Sequence, residues 1–593
     1  MLLTVLSALL IGNLPVSALS TTYDYIVVGG GTCGLVVANR LSEIANVSVL
    51  IIEAGDSVYD NPNVTAVDGY GRALGSAIDR QYKTIPQTFG NQRVQTISAA
   101  KALGGTSTIN GMSYTRAEAA QIDAWEKIGN AGWNWKALYP YYLKSEGYQA
   151  PTADQVTGGG ASFDPEYHGL EGPLRVGYPE DQAVNDLPSL LSKSYEALGV
   201  PSPQDVNGGS MRGFTVYPKT IDTEANVRSD AARAYYWPFS TSRKNLHLSL
   251  NSTVTKILWK SPAGPEQEVV ASAVEVVAAN GTKITFKASR EIVLSAGALR
   301  TPSILELSGI GNTQILSKAN IETKVSLPGV GEHLIDQTNN GLTFSKVASE
   351  QYTGVAGYAS YPNVTDVFGN STGAFASSVL AALPAYASAI SAQNNNCTST
   401  EDMLSLLQLQ HSLVFDAQVP VAEVITWPTE KSFGTQFWST LPFTRGNIHV
   451  TSSDPSTVAR INPNYFMLAY DVDSQIQVAR WMRKLFSTAP LADVVGAETW
   501  PGTKTVASNA SNAAWSKWLK QNYRGNHHVL STAAMMPREK GGVVDERLKV
   551  YGTTNVRVVD ASIFPFQVCG HLMSTLYAVA ERASDLIKED GGL

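Results

Sequence analysis

This 593-residue sequence contains only three cysteines, Cys33, Cys397 and Cys569. A disulfide framework is therefore excluded, and large buried cores must hold the chain together instead. Charged residues are also sparse, at 16%, and the net charge of -7 leaves no basic excess. This balance argues against nucleic acid or an anionic membrane as a partner. We predict no metal site. The length and the 44% apolar content predict an ordered protein of two domains.

Long hydrophobic runs are absent except at the N-terminus, where Leu2 to Ile11 is apolar. That run is too short to span a bilayer, and no other stretch approaches the roughly 20 apolar residues that a span requires. Followed by Pro15 and small residues, it predicts a signal peptide over residues 1–20 and a secreted, extracellular protein. An N-terminal apolar arm is the alternative. Eight N-x-S/T sequons agree with secretion, and Asn363 and Asn370 lie in turn-like surroundings suited to glycosylation.

A glycine-rich loop, Gly29-Gly30-Gly31-Thr32-Cys33-Gly34, lies between an apolar strand (Tyr25 to Val28) and an apolar helix (Leu35 to Leu41). Glu53 ends the next predicted strand, 24 residues after Gly29. This is the pattern of a dinucleotide-binding βαβ unit, in which the helix N-terminus binds a pyrophosphate and the acid binds a ribose. The alternative, a glycine turn without a ligand, leaves Glu53 unexplained. We expect Cys33 to be a small packing residue beside the cofactor.

Three further segments carry a family resemblance. Ala100 to Asn110, which contains Lys101-Ala102-Leu103-Gly104-Gly105-Thr106, resembles the first signature of the glucose-methanol-choline (GMC) oxidoreductases. Gly297 to Gly311 resembles the second signature, and Pro328 to Leu334 is similar to a third segment common in that family. The resemblance covers the mature chain. Within the family, the C-terminal half is most similar to fungal FAD-dependent glucose dehydrogenases.

The resemblance implies an α/β fold in which a Rossmann-like FAD-binding domain is interleaved with an α+β substrate domain built on an antiparallel sheet. The expected boundaries follow from it: FAD-binding segments at 21–120 (with a lid at about 70–98), 245–340 and 542–593, mixed linking segments at 121–244, and the substrate domain at 341–541. It also implies FAD, which we expect to be dissociable because no histidine or cysteine occupies the Gly-Gly-Thr-Ser region. A monomer or a homodimer is expected.

Alcohol oxidation requires a base for the hydroxyl proton and an acceptor for the hydride, and histidine suits the first role at neutral pH. By resemblance, His528 is the base, His571 hydrogen-bonds the same substrate oxygen, and Glu423 orients His571. The other histidines outside this segment are expected to be structural. The helix predicted from Ser574 to Asp590 would direct its positive N-terminal end at the flavin.

The remaining site predictions concern substrate and cofactor. Arg524 and Asn526 could donate to sugar hydroxyls, Tyr70 could stack at the entrance, and Gln436 lies where glucose-binding relatives tend to carry an acid. The predicted cofactor-binding residues come from the glycine loop, the two signatures and the C-terminal segment: Gly29, Gly31, Thr32, Cys33, Gly34, Glu53, Gly104, Gly105, Thr106, Asn110, Gly111, Asp560, Ala561 and His571.

Two departures from the family pattern lie near the predicted base. His527 replaces an aromatic residue, and we expect only one of His527 and His528 to face the flavin, since neighbours in an extended segment point to opposite faces. Ser531 replaces glycine, which would cost about 1 kcal/mol or more if the backbone there requires positive φ.

The function implied is oxidation of β-D-glucose at C1 to gluconolactone, with electrons passed to a quinone-type acceptor. Glucose oxidation with oxygen, and oxidation of aryl alcohols or other sugars, remain alternatives. A FAD-containing hydroxynitrile lyase is an alternative of another class, and a catalytically silent flavoprotein is a further one.

Overall fold

The structure, a computed structural model, describes residues 21–260, 268–347, 352 and 357–593. The predicted signal peptide lies outside the described residues. Fifteen α-helices occur among those residues: α1 Thr32–Leu41, α2 Pro62–Thr65, α3 Ala119–Ile128, α4 Trp135–Ser145, α5 Ala153–Thr157, α6 Leu187–Ala197, α7 Ala231–Tyr235, α8 Thr301–Leu307, α9 Thr313–Lys318, α10 Val364–Phe368, α11 Thr372–Gln393, α12 Thr400–Phe415, α13 Ala469–Phe486, α14 Asn512–Asn522 and α15 Leu572–Asp590.

The same part of the chain contains 25 strands: β1 Thr22–Val28, β2 Val49–Ile52, β3 Tyr82–Lys83, β4 Thr96–Ile97, β5 Glu146–Tyr148, β6 Leu174–Val176, β7 Gly213–Val216, β8 Ile221–Asp222, β9 Val227–Arg228, β10 Leu246–Ser249, β11 Ser252–Trp259, β12 Ala271–Ala278, β13 Lys283–Leu294, β14 Ile310–Gly311, β15 Val325–Ser326, β16 Thr338–Asn340, β17 Thr343–Lys346, β18 Tyr358–Tyr361, β19 Ala422–Pro428, β20 Ser432–Ser439, β21 Asn447–His449, β22 Arg460–Asn462, β23 Val495–Trp500, β24 Arg524–Gly525 and β25 Val556–Val558.

Two large sheets organise the described chain. The first has the order β10-β2-β1-β13-β12-β11, with β25 also paired to β13. Its central strands are parallel, and β11, β12 and β13 form an antiparallel meander. Strand β2 is buried throughout and β1 is buried from Tyr25 to Val28, which explains their central position, because a parallel sheet is covered on both faces.

The second sheet has the order β23-β17-β20-β19-β18-β7, and β16 joins β20 to β24. All of these pairs are antiparallel. The fold class is therefore confirmed: a Rossmann-like parallel sheet is interleaved with an antiparallel sheet. The domain boundaries stay a prediction, although the first sheet takes its strands from three separate parts of the chain, as an interleaved arrangement requires.

The Asn280-Gly281 turn joins β12 to β13, with Gly281 at φ +82°. Helix α8 begins at Thr301, and Arg300 is its N-cap. The helix predicted from Ser574 starts two residues earlier than expected. Helix α15 begins at Leu572, and His571 rather than Ser574 is its N-cap. The predicted base-partner histidine therefore lies at the positive end of a 19-residue helix.

One prediction about hydrophobic length is wrong. The stretch Val364–Gln393 includes α10 and α11 and contains an 18-residue window with a mean hydropathy of 1.4, so it is long and apolar enough to cross a membrane by length and composition alone. Only 22% of the most apolar part of that stretch is buried. The stretch escapes a search for uninterrupted apolar runs because Ser, Thr, Gly and Asn interrupt its many alanines. Helix α11 packs on α12 through the stripe that contains Val379, Leu383 and Ala387.

Candidate active site

One cavity of about 670 Å³ extends from the glycine loop to β19 and β20 of the second sheet. Most of the predicted site residues line it: Gly29, Gly31, Thr32, Cys33, Glu53, Tyr70, Gly105, Thr106, Asn110, Gly111, Gln436, Arg524, Asn526, His528, Asp560, Ala561 and His571. Three of the predicted site residues do not line the cavity: Gly34, Gly104 and Glu423. The sequence motifs, which lie up to 542 residues apart, thus converge on a single cavity.

The glycine loop has the close packing that a dinucleotide cradle requires. Gly29 has φ +105°, and a Cβ atom there would lie 2.4 Å from the carbonyl oxygen of Ser295. A Cβ on Gly34 would lie 2.0 Å from the carbonyl oxygen of Gly29, so only glycine lets α1 start this close to β1. Thr32 and Cys33 form the first turn of α1, whose N-terminus faces the cavity and favours anions.

Glu53 is placed to hold a ribose. Its carboxylate accepts the main-chain N–H groups of Gly30 at 2.9 Å and Gly55 at 2.7 Å, one on each oxygen. Each oxygen keeps a further lone pair for a hydroxyl in the cavity. Burial raises the pKa of this carboxyl group, and the main-chain hydrogen bonds oppose that shift. The glycine loop, the helix N-terminus and this acid together fit the adenosine diphosphate portion of FAD.

Asp560 has a different role from the one that its position in the motif indicates. Its carboxylate accepts from the main-chain N–H of Gly297, from Thr301 Oγ1, and from both the main-chain N–H and the hydroxyl of Ser562. Four donors satisfy the usual capacity of a carboxylate. We therefore expect Asp560 to fix the loop 295–301 against β25, with its main chain rather than its carboxylate available to a cofactor.

His528 is held by two neighbouring polar residues of the segment before β16. Its main-chain N–H donates to Asp336 Oδ1 at 2.9 Å, and its Nδ1 lies 2.7 Å from Oε1 of Gln337. The same oxygen accepts from the side-chain amide of Asn526, whose own oxygen accepts from Asn339. The amide nitrogen of Asn526 also lies 3.0 Å from the same Nδ1. The tautomer with its proton on Nδ1, donated to Gln337, is the one that leaves the Nε2 lone pair for the cavity.

His571 faces His528 across the cavity, with ring centroids 5.5 Å apart and ring planes at 87°. Its Nε2 lies 2.9 Å from Oε1 of Glu423, at an angle that departs from a regular hydrogen bond. Tyr361 donates to the same carboxylate oxygen at 3.1 Å. The main-chain N–H of His571 donates to Thr115 Oγ1, which fixes the start of α15. Glu423 is fully buried and lies against His571.

The environment keeps His528 neutral. Burial lowers its pKa well below the ordinary value, and the nearby His571, His527 and Arg524 lower it further. A neutral imidazole with a free Nε2 is the form that accepts a proton from an alcohol. The indole of Trp438 packs against both rings, at centroid distances of 6.2 Å to His528 and 6.1 Å to His571. The site thus presents two imidazoles on an apolar wall.

The two departures from the family pattern both lie at positive φ. His527 has φ +64°, so the reasoning from an extended segment is wrong, and both histidines line the cavity. They differ in their partners: His527 Nδ1 accepts the main-chain N–H of Ser98 at 3.1 Å, in the predicted lid. Ser531 has φ +73°, the strained conformation considered above, and its hydroxyl donates to the carbonyl of Phe564 at 2.5 Å.

The predicted substrate contacts form the outer wall. Arg524 donates from Nη2 to Oε1 of Gln436 at 2.7 Å, and both side chains line the cavity. Tyr70 is 54% exposed at the rim, in keeping with a place at the entrance. Aromatic and aliphatic side chains of β19 and β20, Ile425, Trp427 and Trp438, complete this wall.

Sequence reasoning missed Asp336, Gln337, Asn339 and Lys219. The first three belong to a buried polar run, Asp336 to Asn340, directly after the Pro328 to Leu334 motif. Five consecutive polar residues beside a signature are a signal that could have been used, because buried polar groups require partners. Lys219 has no comparable signal, since only the fold brings it into the cavity wall.

Comparisons with known proteins agree with this geometry. Family models described as GMC oxidoreductase match residues 23–339 and 442–580. The chain belongs to the GMC oxidoreductase family. The chain is therefore a FAD-binding enzyme that acts on CH–OH donors.

Individual relatives cover nearly the whole chain. The glucose oxidase-like protein fsoC of Humicola fuscoatra is 43% identical over 571 residues, covering 96% of this chain and 95% of the relative. A glucose oxidase of Penicillium chrysogenum is 35% identical, with 97% and 94% covered. Among solved structures, a fungal aryl-alcohol oxidase aligns with a TM-score of 0.85 at 26% identity, covering 97% of this chain and all of that chain.

Proposed function

We propose that this protein oxidises the C1 hydroxyl of β-D-glucose to gluconolactone and passes the electrons to a quinone-type acceptor. The observation that carries the proposal is the pair of facing imidazoles, His528 and His571, at the end of a FAD cavity. A sugar hydroxyl between them would contact two nitrogens, one of which is unprotonated. Relatives named glucose oxidase at 35% identity support a sugar as the substrate.

Each residue of the site has a separate role in the proposed reaction. Bound FAD, held by the glycine loop and Glu53, supplies the hydride acceptor at N5. His528 takes the hydroxyl proton on Nε2, and Gln337 stabilises the resulting imidazolium through Nδ1. His571 hydrogen-bonds the same oxygen through its Nδ1, because Glu423 holds its Nε2. Arg524 binds the other hydroxyls, and the apolar wall around Trp438 excludes water. The amide of Asn526 is engaged by Gln337 and Asn339, so Asn526 supports the position of Gln337 beside His528.

Oxidation of an aryl alcohol is the second candidate. It is favoured by the apolar outer wall of Ile425, Trp427 and Trp438, and by the likeness to an aryl-alcohol oxidase. A planar aromatic ring would pack on these side chains, whereas a hexose would leave part of their apolar surface in contact with water.

We also propose that the protein is secreted. Of its eight sequons, Asn46, Asn63, Asn280, Asn370, Asn396 and Asn509 are exposed, whereas the side chain of Asn363 is 7% exposed and caps α10.

The test is anaerobic mixing of the purified holoenzyme with glucose while the flavin absorbance is followed. Rapid bleaching, with reoxidation by benzoquinone and slow reoxidation by air, supports a glucose dehydrogenase. Fast recovery in air assigns a glucose oxidase instead. Bleaching by benzyl alcohols alone assigns the aryl-alcohol activity, and a FAD-bound enzyme that no alcohol bleaches points to the lyase alternative.

A further inference from the structure

The substrate end of the cavity contains a buried cation that the proposed reaction does not use. Lys219 is 8% exposed and lines the cavity. In the part of the chain that the structure describes, no carboxylate lies within ion-pair distance of its ammonium group, and no oxygen accepts a hydrogen bond from it. Asp181 is the acid whose charge raises the pKa of Lys219, but it is exposed and lies beyond ion-pair distance. Burial lowers the pKa of Lys219 to about 8.

Lys219 lies on the same wall as the reacting histidines. The Tyr217 ring is 6.3 Å from the His571 ring, centroid to centroid. The main chain of Lys219 pairs with Ser113 and with Gly177, and Tyr217 lies two residues earlier in the same segment. Residues two apart in an extended segment share a face and lie about 7 Å apart. Tyr217, Lys219 and His571 all line the cavity, and Tyr217 lies next to His571.

The second cation on this wall also lacks a carboxylate in contact. Arg524 donates to the neutral Gln436 Oε1 at 2.7 Å and to the carbonyl of Gly525 at 3.3 Å. Glu423 is nearby, but it is fully buried behind His571, with which it pairs. The substrate end therefore has two cationic side chains and no exposed anion to balance them among the described lining residues.

We propose that the substrate carries a carboxylate at the end remote from the oxidised carbon, as a hexuronic acid does, and that Lys219 binds this carboxylate. The proposal rests on the proposed function, since it names the substrate class of that same site. An unpaired buried ammonium is costly in the free enzyme, and an incoming carboxylate compensates that cost. A charge-assisted hydrogen bond of this kind is about twice as strong as a neutral one. Arg524 adds to the same positive potential.

The experiment compares D-glucuronate with D-glucuronamide, which has the same shape without the charge, and with D-glucose. Anaerobic flavin bleaching gives the apparent Kd of each sugar for the reductive step alone, so an effect of an anionic electron acceptor is excluded. A charged hydrogen bond worth about 1.5 kcal/mol predicts that native enzyme binds glucuronate about tenfold more tightly than glucuronamide. Equal affinities, or tighter binding of the amide, would overturn the proposal.

Variants of Lys219 test whether this residue causes the preference for glucuronate. Lys219→Met is expected to reduce the glucuronate-to-glucuronamide preference about tenfold, and Lys219→Arg to retain most of it. Lys283→Met, in the exposed β12–β13 hairpin, is the matched control and should keep the native preference. An unchanged preference in Lys219→Met contradicts the assignment to Lys219. If Lys219→Met loses FAD, the comparison of glucuronate with glucuronamide on native enzyme still tests whether the site prefers a carboxylate.

The outcomes separate this inference from the proposed function. If glucose and glucuronamide bleach the flavin as well as glucuronate does, sugar oxidation holds and the anionic substrate class is wrong. If none of the three sugars bleaches the bound flavin, the sugar-oxidising function fails and the inference fails with it.

Discussion

The two ends of the cavity are built in different ways. At the nucleotide end, main-chain groups form much of the wall: Gly29, Gly31 and the first turn of α1 line it. At the substrate end, side chains from distant segments form it, including Arg524, Gln436 and His528. Backbone geometry determines which cofactor is bound, whereas side-chain chemistry determines which substrate reacts.

This difference separates cofactor binding from catalysis experimentally. Changes at the nucleotide end should remove the flavin together with activity. Changes at the substrate end should leave the flavin bound and alter the reaction.

Replacing His528 with alanine should slow anaerobic flavin reduction about 10²- to 10⁴-fold, the usual worth of a general base, while FAD stays bound. His527→Ala is the matched control and should lie within about tenfold of native, because its Nδ1 is engaged by Ser98 rather than by the Gln337 amide. Stopped-flow bleaching measures both. Near-normal reduction in His528→Ala with a large loss in His527→Ala would exchange the two roles.

Replacing Gln337 with methionine removes the acceptor at 2.7 Å from His528 Nδ1. We expect about 10- to 100-fold slower flavin reduction, since an unpaired buried group costs about 1–3 kcal/mol and the Nε2–H tautomer becomes accessible. Histidine ¹⁵N chemical shifts report the tautomer independently of turnover. Gln337→Glu keeps an oxygen acceptor and should keep the Nδ1–H tautomer. The same tautomer in Gln337→Met would show that Gln337 does not select it.

Replacing Gly34 with alanine places a methyl group 2.0 Å from the Gly29 carbonyl oxygen. Overpacking of this kind costs about 1–3 kcal/mol, so Tm and the flavin-to-protein absorbance ratio should both fall. Gly373→Ala in α11 is the control, because nothing lies within 4 Å of its added Cβ. It should be neutral, or stabilising by about 0.4–1 kcal/mol. Full FAD content in Gly34→Ala would contradict the tight cradle.

Replacing Ser531 with glycine should change the unfolding free energy by less than about 1 kcal/mol. Relief of the strain at φ +73°, worth about 1–2 kcal/mol, offsets the lost hydrogen bond to Phe564. Ser531→Val keeps a side chain at positive φ and has no hydroxyl to donate to Phe564, so this variant should be clearly less stable. Denaturant unfolding of the two variants measures the difference. A large loss of stability in Ser531→Gly would mean that the hydroxyl contributes more than one ordinary hydrogen bond.

The same two ends differ in how far the sequence predicts them. The glycine loop, β1, α1, β2 and Glu53 follow from local spacing, because a βαβ unit is determined by about 30 contiguous residues. The family signatures add His528, His571 and Glu423, and the structure brings all three together. Their catalytic roles stay predictions.

What the sequence did not predict depends on long-range contacts. Gln337 reaches His528 from 191 residues away, and Lys219 enters the wall through pairing with Ser113 and Gly177. No local pattern encodes such a juxtaposition. The sequence also does not predict which way the His527 side chain points. Its positive φ is imposed by tertiary contacts and departs from the strand geometry that neighbouring residues favour.

The account depends most directly on a neutral His528 acting as the base, and the pH dependence of anaerobic flavin reduction tests it. Because burial and the neighbouring His571, His527 and Arg524 hold the pKa of His528 well below 6.5, its Nε2 stays unprotonated down to that lower pKa. The limiting rate of reduction should therefore be constant from about pH 6 to pH 8 and should fall only at lower pH. A rate that falls about tenfold per pH unit below about 6.5 would contradict the account, since it would require a base with an ordinary, solvent-like pKa.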